Sequence, residues 1–200
     1  MQGAGDELDG REVYRRLDPE LRRRFRDRGL VYVRNFTAGI DVDWQEFFRT
    51  EDRAAVEAYC AAAGIACEWK PNGDLTTRKQ APAVALHPKT GEAVFFNQIQ
   101  AHHVSCLPGD VRESMLSIFG EAHLPRNVYY GDGTPITAGE MDAVRAVYRD
   151  VAVEFPWQVG DVLMVDNMLT AHARNAFAGP RRILVAMGEM FRADEVRLPQ

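Results

Sequence analysis

The end of the chain holds a histidine and an arginine pair whose residue types suit the binding of a metal and a carboxylate. A tight Gly160-Asp161 turn, an apolar run, a loop with His172 and a second apolar run that opens on Arg181-Arg182 follow one another there. Imidazole binds Fe(II) among other metals, and the guanidinium fork matches a carboxylate. A 2-oxo-dicarboxylic acid can chelate a metal at one end and pair with arginine at the other. Spacing alone also allows the ordinary interpretation, a surface histidine beside surface charge.

Asn97 and Gln98 are further polar candidates, because they stand at the end of a predicted strand. Both side chains could reach a substrate, and both could equally satisfy buried backbone groups, so the two interpretations stay level. No catalytic acid, base or nucleophile is predicted, since the sequence has no Walker loop, no GxGxxG and no GxSxG. Cys106 near His103 lacks an orienting group and is weak evidence for a nucleophile.

Length and composition indicate one globular domain. The chain has 200 residues, of which 46% are hydrophobic, and its net charge of −5 argues against nucleic-acid binding. The three cysteines show no CxxC spacing, so neither a disulfide framework nor a zinc knuckle is indicated. The polar N-terminus and the lack of an apolar run of membrane-spanning length predict a cytoplasmic protein without a membrane partner.

The pattern of apolar residues predicts an α+β domain over residues 11–200, preceded by a disordered segment over residues 1–10. Thr137 and Glu140 form a capping box, which predicts the start of a helix that continues to Val151. Other helices are predicted at 11–28, 44–48, 51–63 and 108–119. The first of these carries an apolar stripe of Val13, Leu17, Leu21 and Phe25. Strands are predicted at 30–34, 65–69, 75–86, 92–97, 127–130, 152–157, 161–166 and 182–190.

The stretch from Phe155 to Val185 resembles the distal half of the TauD/TfdA family of Fe(II)/2-oxoglutarate-dependent oxygenases. In that family a Gly-Asp turn, an apolar strand, Asp-Asn, a histidine and an Arg-Arg pair follow one another. By this resemblance His172 matches the second iron-binding histidine, and Arg182 matches the arginine that binds the distal carboxylate of 2-oxoglutarate. Arg181 and Arg182 would face opposite sides of a strand, so only one of them can serve, and Arg182 is the better match.

Segments further upstream extend the resemblance to residues 11–190 and to the syringomycin-type hydroxylases found near nonribosomal-peptide gene clusters. These segments are Gly29–Asn35, Trp44–Thr50, Val94–Gln98 and Asn127–Gly133. The resemblance implies a double-stranded β-helix (jelly-roll, clavaminate-synthase-like) core with flanking helices. It also implies Fe(II), 2-oxoglutarate as cosubstrate, and an amino-acid-like small-molecule substrate that is free or tethered to a carrier. A homo-oligomer is left open.

The family's His-x-Asp or His-x-Glu motif, which supplies two iron ligands, has no match among the five histidines. His103-Val-Ser105 is the nearest imitation. In the resembled subgroup, however, this segment comes after the Asn97-Gln98 strand. It is not on the strand that carries the His-x-Asp or His-x-Glu motif, which argues against a halogenase-like site. We expect that the chain begins after the triad motif, that the jelly roll is incomplete, and that residues 1–28 correspond to the segment after that motif in longer relatives.

The sequence therefore predicts an Fe(II)/2-oxoglutarate-dependent oxygenase whose facial triad is incomplete in these residues. The alternative is a catalytically inactive, truncated relative that retains the fold as a binding or oligomerisation module. The missing His-x-Asp or His-x-Glu motif favours this alternative, and the match at His172 and Arg182 favours the oxygenase.

Overall fold

The structure, a computed structural model, describes residues 4–37, 39–174, 178–180, 182–191 and 195–199, with the backbone alone at positions 4–7 and 174. Its strands are β1 Ala4–Asp9, β2 Leu30–Phe36, β3 Ile65–Trp69, β4 Leu75–Ala81, β5 Ala85–Leu86, β6 Ala93–Val94, β7 Arg126–Tyr130, β8 Val153–Pro156 and β9 Thr170–Arg174. Its helices are α1 Gly10–Arg16, α2 Pro19–Arg28, α3 Trp44–Phe48, α4 Arg53–Ala62, α5 Ile99–His102, α6 Gly109–Phe119 and α7 Ala138–Val151.

The chain divides into two compact units. The first consists of Met1–Arg26, Ala83–Asn97 and Asp142–Gln200, and the second consists of Asp27–Pro82 and Gln98–Met141. Each unit has an antiparallel sheet of its own. The mixture of helices and sheets agrees with the predicted α+β class, and the expectation of a single oxygenase domain over residues 11–200 stays a prediction.

The sheet of the first unit has three strands, with β1 between β8 and β9. β5 and β6 form a short hairpin in the same unit. β1 lies inside the segment 1–10, for which the sequence predicts disorder. Its backbone groups find hydrogen-bonding partners on two strands far along the chain, and composition does not reveal such non-local pairing.

The helix predicted over residues 11–28 is divided into α1 and α2. The carboxylate of Asp18 accepts hydrogen bonds from the first backbone N–H groups of α2, and Pro19 has no N–H to continue the hydrogen-bond ladder of α1. The predicted apolar stripe is nevertheless buried along both helices, where its members are Val13, Leu17, Leu21 and Phe25. The apolar period therefore identifies the buried face but not the break.

The sheet of the second unit has four antiparallel strands in the order β3-β4-β2-β7. β2 pairs with β4 along its whole length, from Leu30 opposite Ala81 to Phe36 opposite Leu75. Side chains from these two strands pack against α3 and α4, and the buried members of this core are Phe36, Trp44, Val56, Cys60 and Leu75. Burial of each large apolar side chain stabilises the fold by about 1.5–3 kcal/mol relative to exposure.

The capping box predicted at the start of α7 is confirmed. The N–H of Thr137 donates to Glu140 Oε2 over 2.7 Å, and the N–H of Glu140 donates to Thr137 Oγ1 over 3.2 Å. These two bonds satisfy donors that the helix itself leaves unpaired. Even α7, with its 14 residues, is too short to span a bilayer, and no other described helix is long and apolar enough to do so.

Two predicted strands, Asp161–Asp166 and Arg182–Met190, do not form strands in the structure. No described strand pairs with either segment, and their apolar side chains are exposed, as Val162 at 94% and Leu184 at 80% show. Since a strand requires partners for its backbone groups, the apolar pattern alone was an insufficient guide here. The strand predicted over 92–97 is also shorter than expected, because only β6 is paired.

Candidate functional site

His172 lies on strand β9, whereas the sequence predicts a loop at this position. β9 pairs with the central strand β1, and His172 stands opposite Glu7 in that register. The imidazole itself is exposed to solvent. The sheet thus fixes the backbone of His172 and leaves its side chain accessible to a ligand.

The turn that precedes β9 is organised by Asp166. Its Oδ1 accepts hydrogen bonds from the N–H groups of Met168, over 3.0 Å, and Leu169, over 3.4 Å. Its backbone carbonyl accepts from the N–H groups of Leu169, over 3.0 Å, and Thr170, over 2.9 Å. An aspartate side chain that binds the backbone two residues on reverses the chain locally. The turn therefore positions Thr170, the first residue of β9, at the edge of the sheet where it pairs with β1.

The second carboxylate oxygen of Asp166 meets His87, whose side chain is only 4% exposed. His87 Nε2 lies 3.0 Å from Asp166 Oδ2, and His87 Nδ1 accepts the N–H of Thr90 over 3.1 Å. Because Nδ1 is an acceptor, the proton of the neutral imidazole is on Nε2 and is donated to Asp166. Partial burial acts to raise the pKa of Asp166, but the hydrogen bonds from Met168 and His87 outweigh it, and the pKa is lowered.

Gly10, at the junction of β1 and α1, connects this turn to the β5–β6 hairpin. Its N–H donates to the carbonyl of Leu169 over 2.7 Å, and its carbonyl accepts the N–H of Phe95 over 3.0 Å. A Cβ at this position would lie 2.6 Å from Val94 Cγ1 and 3.2 Å from the Leu169 carbonyl oxygen. The Val94 side chain and the backbone of Leu169 therefore leave too little room for a Cβ unless they shift, which favours glycine here.

Arg182 is exposed and lies outside the described strands, while Arg181 lies outside the described residues. In the part of the chain that the structure describes, no hydrogen bond or ion pair joins His172 to Arg182. The structure therefore does not bring the two predicted site residues into direct contact. Both side chains are exposed.

Asn97 is partly buried and Gln98 is exposed. Asn97 Nδ2 donates to the carbonyl of Ala83 over 3.0 Å, a contact that fits the interpretation in which this side chain satisfies a backbone group. The backbone N–H of Gln98 donates to the hydroxyl of Tyr32 over 3.0 Å. Asn97 belongs to the first unit and Gln98 to the second, and their role in binding a substrate stays a prediction.

His103, the histidine of the nearest triad imitation, is buried and hydrogen-bonded within the second unit. Its Nδ1 accepts the N–H of Ser105 over 3.2 Å, and its Nε2 lies 2.9 Å from the carbonyl of Ile136. The imidazole therefore donates from Nε2 and satisfies a backbone carbonyl. This arrangement agrees with the sequence argument against a halogenase-like site at His103-Val-Ser105.

The second unit also contains a cavity of about 320 Å³, whose lining includes Asp41, His102 and Arg126. Asp41 Oδ2 accepts hydrogen bonds from Arg126, over 2.8 Å, and from Arg34, over 3.3 Å. Burial lowers the pKa of the half-buried His102, and the positive charges of Arg126 and Arg34 act in the same direction. Two arginines that share one carboxylate thus disfavour a further positive charge beside the cavity.

The described residues do not fit a complete iron centre of the expected kind, which needs two histidines and a carboxylate. Among them, no group of three or more His, Cys, Asp or Glu side chains is placed to hold a metal ion. His172 offers one candidate ligand, and the sequence contains no His-x-Asp or His-x-Glu. The roles of His172 as an iron ligand and of Arg182 as a carboxylate-binding residue therefore stay predictions.

Comparison with known proteins identifies the class of protein to which these features belong. The model of the family described as taurine catabolism dioxygenase TauD, TfdA family matches residues 7–187. The chain therefore belongs to the TauD/TfdA family, and the predicted resemblance is confirmed. The family has a jelly-roll fold, with which the helices and antiparallel sheets described above are compatible.

Two relatives match most of the chain. It is 38% identical over 179 residues to the dapdiamide synthesis protein DdaC of Enterobacter agglomerans. This alignment covers 90% of this chain and 54% of that protein. It is 30% identical over 188 residues to a clavaminate synthase-like protein of Arabidopsis thaliana. This alignment covers 88% of this chain and 53% of that protein. The chain thus spans about half the length of these relatives.

The contact between His87 and Asp166 was not predicted from the sequence. The two residues are 79 positions apart, and the sequence predicts only a strand that ends at Asp166. Two turn signals, His87–Gly91 and Asp166-Asn167, are the local indications of these positions. Local signals predict that turns form, but they do not predict which turns meet.

Proposed function

We propose that the protein is an Fe(II)/2-oxoglutarate-dependent oxygenase that hydroxylates an amino-acid-like small molecule. In this proposal His172 is an iron ligand and Arg182 binds the distal carboxylate of 2-oxoglutarate. The observation that carries it is the family match over residues 7–187, which includes both positions. The proposal does not assign the remaining iron ligands to any described residue.

The chemistry of the two side chains supports these roles. A guanidinium forms two parallel, charge-assisted hydrogen bonds with a carboxylate, and Arg182 has no ion-pair partner in the described chain. A neutral imidazole offers a lone pair to a divalent metal, and the exposed His172 is accessible to one. Pairing of β9 with β1 holds the backbone of His172 on a regular strand, which favours a defined direction of its side chain.

Similarity to a dapdiamide synthesis protein supports a substrate from small-molecule biosynthesis. We propose an amino-acid-like substrate, either free or tethered to a carrier protein. We also propose that residues 11–200 form one oxygenase domain and that its strands belong to a double-stranded β-helix core.

The second candidate function is a catalytically inactive relative that retains the fold for binding or oligomerisation. The observation that favours it is the absence of any His-x-Asp or His-x-Glu in the sequence. One histidine alone binds a divalent metal too weakly to support oxygen activation, which needs three protein ligands.

The test is turnover together with the visible spectrum of the protein. The oxygenase proposal predicts a weak charge-transfer band when Fe(II) and 2-oxoglutarate are both added without oxygen, and formation of succinate when air is admitted. The band and succinate formation should both vanish in His172→Ala. In Arg182→Gln, both should appear only at a higher concentration of 2-oxoglutarate. His123→Ala is the matched control, because His123 is an exposed histidine of the second unit and has no role in the proposal.

A protein that gives neither the band nor succinate contradicts the oxygenase proposal and supports the second candidate. A band that persists in His172→Ala contradicts the assignment of His172. Substrate class is tested in the same assay, since an amino acid or a carrier-bound aminoacyl group should increase succinate formation and an unrelated sulfonate should not.

A further inference from the structure

We infer that His87 is a positioning residue for His172 and acts through Asp166. In outline, the β5–β6 hairpin holds His87, His87 holds the carboxylate of Asp166, and Asp166 holds the turn that leads into β9. The ligand role of His172 rests on the proposed function. The effect of His87 on how well β9 is held in place does not rest on the proposed function.

His87 is itself held firmly. Its N–H donates to the carbonyl of Glu92 over 2.9 Å, and its carbonyl accepts the N–H of Gly91 over 2.8 Å. The ring is buried, with Thr90 N–H directed at Nδ1 and Asp166 at Nε2. Both ring nitrogens therefore have partners, and the ring has little freedom to turn away from Asp166.

Asp166 divides its carboxylate between two tasks. Oδ2 accepts from His87, and Oδ1 accepts from Met168 and Leu169 in the turn. The carboxylate is 45% exposed, so without His87 it could rotate into water and give up its hold on the turn. The carbonyl of Leu169 binds Gly10, so a loosened turn would also disturb the contact that brings β9 to β1.

Lys89 is the other group near Asp166 that could hold its carboxylate, but its position argues against this role. Its ammonium binds Glu189 over 2.7 Å, and both side chains are largely exposed. Exposed ion pairs contribute little to stability. The buried, neutral N–H donor of His87 is therefore the group that fixes the direction of the carboxylate.

Two conservative variants separate the two hydrogen bonds of His87. The amide nitrogen of glutamine reaches the position of Nε2, so His87→Gln retains a donor to Asp166. The amide of asparagine reaches only the position of Nδ1, so His87→Asn retains an acceptor for Thr90 and loses the donor to Asp166. Both variants place a neutral amide of similar polarity in the same buried site.

The experiment measures hydrogen–deuterium exchange of the protected amides of β9, with the amides of β2 as the control for global stability. We expect exchange in β9 to become faster by roughly tenfold or more in His87→Asn, the loss typical of a hydrogen bond to a charged group, and to stay near wild type in His87→Gln. Exchange in β2 should not change in either variant.

Unchanged exchange of β9 in His87→Asn would overturn the inference. Equal acceleration in β9 and β2 would also overturn it, because His87 would then be an ordinary core residue. Succinate formation in the wild type is recorded separately. If it is absent while exchange of β9 responds to His87→Asn but not to His87→Gln, the proposed function fails and the positioning role stands.

Discussion

The N–H of Gly10 donates a 2.7 Å hydrogen bond to the carbonyl of Leu169, and this bond joins the start of α1 to the turn that precedes His172. Residues from three parts of the chain meet at this point, because the carbonyl of Gly10 also accepts the N–H of Phe95. The candidate ligand strand is thus attached both to the first helix and to the β5–β6 hairpin.

Substitution of Gly10 by alanine should destabilise the protein. The new Cβ would lie 2.6 Å from Val94 Cγ1, so the side chain or the backbone must move, at a cost of about 1–3 kcal/mol in the free energy of unfolding. Urea denaturation measures this change. Gly139→Ala is the control, because Gly139 is an exposed residue of α7 with open space around it, and alanine there should stabilise by roughly 0.5–1 kcal/mol. Equal effects of the two substitutions would contradict the close packing at Gly10.

Local sequence patterns predicted much of the secondary structure. The capping box at Thr137 and Glu140 formed as expected, and the apolar stripe that starts at Val13 is buried. The break at Asp18-Pro19 was missed, because the stripe continues through it with the same period. Local signals work where the determinants lie within a few residues of one another.

The candidate site could be predicted only in part. The resemblance identifies His172 and Arg182 by residue type and order, but pairing with β1 decides that His172 is on a strand. Asp161–Asp166 is not a strand, although its apolar pattern predicts one, because no described strand pairs with it. The contact of His87 with Asp166 spans 79 positions, and no local pattern carries information of that range.

Cys60 should be the last cysteine to react with a thiol reagent. Burial raises its pKa to about 11, with the neighbouring Cys67 acting in the same direction, and the side chain has no exposed surface. At pH 8 the folded protein therefore presents almost no Cys60 thiolate, which is the reactive form. Brief treatment with N-ethylmaleimide and peptide mapping should show label at the partly buried Cys106 before Cys60, which should be labelled only after addition of urea. Equal labelling of both in the folded protein would contradict this.

His102 should titrate below the usual histidine range. Burial and the charges of Arg126 and Arg34 disfavour its protonated form, so its folded pKa is lower than its unfolded pKa. Its contribution to stability is therefore present above the unfolded value of about 6.5 and is lost as the pH falls through the folded pKa. NMR titration of the ring protons measures the shift. Arg126→Gln should move the pKa of His102 upward, and Arg78→Gln should leave it unchanged; a pKa that falls in Arg126→Gln would contradict the electrostatic account.

The central claim is that His172 is a metal ligand and that Arg182 binds the distal carboxylate of 2-oxoglutarate. Its most direct test is the response of the histidine ring resonances to Fe(II) and 2-oxoglutarate without oxygen. Paramagnetic broadening detects weak binding, so the measurement does not require a complete facial triad. We predict that His172 broadens selectively, that 2-oxoglutarate enhances the effect, and that Arg182→Gln removes the enhancement. Equal broadening at the exposed His123, or an enhancement that persists in Arg182→Gln, would contradict the account.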